Sequence, residues 1–80
     1  MNTERQYHGI WRNYDNLRRA ICKARDLSPK AERACTRLLT SVHVDFHECI
    51  DLESRYAVIT SAWVQLARIR QDADEYAEVL

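Results

Sequence analysis

Eighty residues hold one glycine and one proline. Few folds manage with so little turn chemistry. Tight hairpins need residues that tolerate positive φ, and glycine supplies most of them. A β-rich architecture is therefore disfavoured. A glycine-rich phosphate loop is excluded, since Gly9 stands alone.

Long apolar runs are missing too. The least polar stretch, "YAVITSAWVQLA" at 56–67, carries Thr, Ser and Gln and is too short to span a bilayer. No membrane partner is expected. The opening "MNTERQYHGIW" has an acid and an arginine where a secretory leader needs an apolar run. The three cysteines, Cys22, Cys35 and Cys49, form an odd set at spacings that match no disulfide framework. They read as small apolar residues of a reduced, cytoplasmic protein. No internal repeat or low-complexity tract is present.

What the chain does have is charge, and it is unevenly laid out. The net charge is zero. Through Arg37 there are nine basic and four acidic residues; beyond it there are three basic and eight acidic. One half is thus near +5 and the other near −5. Such asymmetry marks a partner-binding face, or two halves that lie against each other.

The apolar residues repeat at helical spacing. Tyr7, Ile10, Tyr14, Leu17, Ile21 and Ala24 step by 3 and 4, the pattern of one packed stripe. Trp11 and Leu27 widen it. Thr3 is a candidate cap, and Arg18, Arg19, Lys23 and Arg25 suit the negative end of the helix dipole. This predicts a first helix over about 3–27. Ser28 followed by Pro29 is a helix start, since serine caps and proline at the first position forfeits no hydrogen bond. A second helix over about 29–50 follows, with Ala31, Cys35, Leu38, Val42, Phe46 and Cys49 on one face and Ala34, Leu39 and Ile50 broadening it. A third, over about 54–79, carries Ile59, Ala62, Trp63, Leu66, Ile69, Ala73, Tyr76 and Leu80.

The join at "CIDLESR" admits two architectures. Asp51 or Ser54 can cap a new helix, yet the 3–4 spacing also runs straight through from Cys35 to Leu66. The chain is either a three-helix up-down-up bundle or a short helix packed on one long helix in a dimer. Average helices of about 11–12 residues favour the bundle. In an up-down-up bundle helices one and three run parallel. That would set Arg18, Arg19, Lys23 and Arg25 beside Asp72, Asp74, Glu75 and Glu78.

The segment "SVHVDFHEC", 41–49, concentrates chemistry-bearing residues. On a helix, His43 and His47 share a side at i, i+4, with Asp51 one turn on, a spacing that can hold zinc. There is no Glu in the second position of an HExxH pattern, and Cys49 faces the apolar side. As a strand, His43, Asp45 and His47 would alternate with Val42, Val44 and Phe46. The helical stripe entering from Ala31 and leaving through Ile50 argues against that, as does the lack of a hairpin turn. The histidines are expected as a solvated or partner-facing edge, and no metal or cofactor is expected.

Nucleophilic catalysis finds little support. A Cys22–His8 or Cys35–His43 pair would have to be assembled across the fold. Asp45 and Glu48 are spaced like ordinary surface charge. The chain is expected to be non-enzymatic.

Helix one supplies the candidate interface. Tyr7, Trp11, Arg12, Tyr14, Arg18 and Arg19 combine the residue types that dominate protein contacts. The expected function is a small protein-binding regulator or inhibitor that acts sterically through a helical face. That class includes many phage-encoded inhibitors of host or defence proteins. The expected partners are another protein and a second copy of the chain. Nucleic-acid binding through the basic helix is the alternative, against which stands the zero net charge.

Overall fold

The computed structural model describes the backbone of residues 3–79 and the side chains of residues 8–77. Three helices account for the chain: α1 (Thr3–Ala24), α2 (Pro29–Glu48) and α3 (Leu52–Val79). Each packs against both others in the up-down-up order, and no strand occurs among the described residues.

The first turn is set by Ser28. Its backbone is extended at φ −165° and ψ 163°, and its hydroxyl oxygen accepts the Ala31 N–H at 3.0 Å. A residue before proline is pushed out of the helical region, so α1 has to end earlier. It stops at Ala24, not at 27, where the Leu27 N–H closes a last turn onto the Ala24 carbonyl at 3.2 Å. Leu27 therefore lies beyond the stripe it was expected to widen, and it is about half exposed.

The second turn decides between the two architectures. Glu48 ends α2, and Cys49 turns extended at φ −73° and ψ 137°. Asp51 then caps α3. Its carbonyl accepts the Arg55 N–H at 3.2 Å, and the nearby Ser54 hydroxyl, with the backbone N–H groups at the helix start, holds the Asp51 carboxyl pKa below the ordinary value. Arg55 reaches back, and its Nε–H donates to the Cys49 carbonyl at 3.1 Å. These bonds replace the helical ladder that one long helix would have continued, so that alternative is not formed. The expected ends at 50 and 54 shift to 48 and 52. Ile50, expected on the buried face, stands 97% exposed on the corner, and Leu52 packs against the core instead.

The core runs along the bundle axis. Ile10, Leu17 and Ile21 of α1 meet Cys35 and Phe46 of α2 and Ile59 and Leu66 of α3, all essentially inaccessible to solvent. Each large side chain of this kind contributes about 1.5–3 kcal/mol by leaving water. No polar or charged residue is buried among the described ones. Polar links lie at the core's edge. The Trp63 indole N–H donates to the Asn13 side-chain oxygen at 3.2 Å, tying α3 to α1.

Candidate functional site

The six residues expected at an interface separate into two groups. Tyr7's side chain lies outside the described ones. Ile10, Tyr14, Leu17 and Ile21 point inward, so the opposite side of α1 is left to Arg12, Asp15, Arg19 and Lys23, all exposed. Arg18 is exposed beside them, its guanidinium 5.7 Å from the centre of the Tyr14 ring. Asp15, Arg18, Arg19, Cys22 and Lys23 border a shallow open depression. No ion pair neutralises Arg12, Arg18, Arg19 or Lys23 among the described residues. The expected seam of Arg18, Arg19, Lys23 and Arg25 with Asp72, Asp74 and Glu75 of α3 forms no ion pair among the described residues, and Glu78's side chain lies outside the described set. The buried α1 residues are the apolar ones, and Arg12, Arg19 and Lys23 lie on the far side of the helix from them.

Tyr14 and Trp11 belong to a different structure. Tyr14 is only 2% exposed, so its ring offers no surface to a partner in this state. It stacks on Phe46 with the rings 6° from parallel and 4.1 Å between centres. Trp11 is half-buried and meets Phe46 edge to face at 5.0 Å. Tyr14 lies buried on the stripe where the periodicity places it, and Trp11 packs beside it with part of its surface left open. Burial pushes the Tyr14 phenol up from its ordinary value of 10.0, against the opposing pull of the Arg18 charge.

The two histidines close this cluster at its solvent edge. The Tyr14 hydroxyl lies 3.2 Å from His43 Nδ1. It can donate to a bare Nδ1 or accept from Nδ1–H. His47 Nδ1 lies 2.9 Å from the His43 carbonyl oxygen. A carbonyl only accepts, so His47 carries its proton on Nδ1. Asp51, one turn further along the sequence, is engaged as the α3 cap. No group of three or more His, Cys, Asp or Glu residues is placed to hold a metal among the described residues.

The chain matches no family model, and no curated protein or solved structure resembles it significantly.

The Cys35–His43 pairing weighed in the sequence is not made. Cys35 is fully buried, and burial raises its thiol pKa, the reverse of what a nucleophile needs. His43 spends its Nδ1 on Tyr14, not on a thiol. Cys22 is exposed at the edge of the basic depression.

Sequence reasoning overlooked Arg55. Its guanidinium lies 5.6 Å from the Trp11 ring and 5.1 Å from Phe46, so one side chain caps the aromatic cluster and also ties down the α2–α3 turn. One signal was available. Arg55 is the lone Lys or Arg between Leu38 and Ala67.

Proposed function

We propose that this chain is a non-enzymatic protein-binding regulator that works by laying the outer face of α1 over an acidic surface of another protein. The observation that carries the reading is the exposed cationic side of α1. Arg12, Arg18, Arg19 and Lys23 face water with no ion-pair partner among the described residues. Guanidinium groups in such a row bind carboxylates in paired, planar geometry. They also steer encounter with an acidic partner. The mechanism is coverage. A helix backed by a close-packed core presents its charges in a fixed array, and the bulk of the bundle blocks what lies beneath.

The same row would suit a phosphate backbone. The inward turn of Trp11 and Tyr14 favours protein over single-stranded nucleic acid, because the rings that would stack on bases are already packed on Phe46.

The test is retention from a native-host lysate on the immobilised full chain, with and without nuclease. The reading expects one stoichiometric protein that survives nuclease and is lost on Arg12→Glu, Arg18→Glu, Arg19→Glu. Nuclease-sensitive retention would favour the nucleic-acid alternative. No retained protein would remove the proposal.

A further inference from the structure

A groove runs along the side of the bundle that faces away from α1. It is walled by α2 and α3 alone. Two open hollows of about 360 and 260 Å³ share Leu38, Ser41 and Gln65, so they form one continuous channel. Its middle is uncharged and made of small or slender side chains: Ser41 from α2, and Ala57, Ser61 and Gln65 from α3. The middle of the α3 wall belongs to the twelve-residue stretch Tyr56–Ala67, which carries no charge. A helix that is neither charged nor strongly polar on its solvent side is built to be covered.

Two hydrogen bonds in the channel are made before anything binds. The Gln65 amide donates to the Ser61 hydroxyl at 3.2 Å, and the Ser41 hydroxyl donates to the Asp45 carboxylate at 3.4 Å. Both pairs lie along their own helix. Each such bond kept on covering lowers the desolvation cost.

The charges identify the occupant. One end of the channel carries Arg37 and Arg68. The other carries Asp45, with Glu48 one turn further along α2. Ser41 lies midway between Arg37 and Asp45 in the sequence. A two-fold axis through the channel near Ser41 reverses its direction, so that the basic end of one copy meets the acidic end of the other, twice over. A surface that complements itself under a two-fold rotation is the requirement for a closed dimer. An unrelated partner would need to match this polarity by coincidence.

We propose that a second copy of this chain occupies the α2–α3 groove, forming an antiparallel four-helix interface from α2 and α3 of each protomer. Arg37 and Arg68 of each face Asp45 and Glu48 of its partner, around a small, uncharged centre. The dimer leaves both α1 outer faces turned to water, so this proposal stands independently of the one above.

Sedimentation equilibrium on the full chain, from low micromolar to submillimolar concentration, tests it. The wild type is expected to be a dimer. Arg37→Glu with Arg68→Glu makes both ends acidic, and Asp45→Arg with Glu48→Arg makes both ends basic. Each double variant is expected to keep its helical circular dichroism and to self-associate about tenfold or more weakly. Mixing the two is expected to restore association, as a heterodimer, because only the mixture pairs opposite charges at both ends. A wild type that stays monomeric throughout overturns the proposal and leaves the groove to another occupant. So does a dimer indifferent to both reversals, or a mixture that fails to associate.

Discussion

The Tyr14 hydroxyl and His43 Nδ1 lie 3.2 Å apart, joining α1 to α2 at the edge of a core that contains no buried polar residue among those described. Removing that oxygen tests the link directly. Tyr14→Phe keeps the stack on Phe46 and is expected to lose about 0.5–1.5 kcal/mol of unfolding free energy. The penalty should narrow in strong alkali. The folded phenol titrates above its ordinary value of 10.0, so its stabilising contribution is complete below pH 10.0 and falls away as pH rises through the folded value. Urea titrations of both proteins at neutral pH and above pH 10.0 check this. A constant gap across that range would contradict it.

Arg55 is expected to resist replacement by lysine. Lysine keeps the charge but not the planar group over Trp11 and Phe46, nor the Nε–H bond to the Cys49 carbonyl. Arg55→Lys should cost about 1 kcal/mol. The signature is a lower urea midpoint with an unchanged slope. Stability equal to wild type would mean that charge alone matters at this position.

Gly9 has an easy improvement. It sits inside α1, and a Cβ built on it meets nothing within 4 Å. Gly9→Ala should therefore add about 0.5–1 kcal/mol by restraining the unfolded chain. A rise in Tm without change in folded helicity is the expected reading. A fall in Tm would point to a neighbour approaching that face in solution.

Asp51 gives the α3 start an acid limit. Its pKa lies below the ordinary 3.8 because Ser54 donates to the carboxylate. A depressed carboxylate stabilises the fold fully above its unfolded value and loses that effect as pH falls through the lower, folded one. Asp51→Ala should lower Tm at neutral pH, and the difference from wild type should close below pH 3.8. Asp51→Asn, a good cap without charge, should behave more like wild type at neutral pH and lack the acid-dependent loss. Thermal melts across this range decide it.

Much of the fold was legible because α1 and α2 announce themselves locally. The 3–4 stripe of α1 and the Ser28–Pro29 start need no tertiary knowledge. The break after Glu48 was hidden because the apolar spacing continues through it. The decision rests on Asp51, Ser54 and Arg55, whose bonds form only once the chain has turned. Periodicity also shows which side of a helix is apolar, not which neighbour covers it. Tyr14 was read on the packed stripe and Trp11 at its flank, but Phe46 as their shared partner was not legible, and the channel between Ser41 and Gln65 had no signature of its own. The link between Tyr14 and His43 spans 29 residues and could not be read from either segment alone.

The turns have a consequence for how the chain reaches this state. Four residues separate α1 from α2, and three separate α2 from α3. Closing such short loops costs little chain entropy, and contacts between successive helices are local, so folding should be fast. The α1–α3 seam joins the most distant segments, and its Asn13–Trp63 bond bridges 50 residues. During synthesis α1 and α2 emerge first and can meet as a helical hairpin around Tyr14 and Phe46. That hairpin waits for α3, whose arrival closes the core along its whole length.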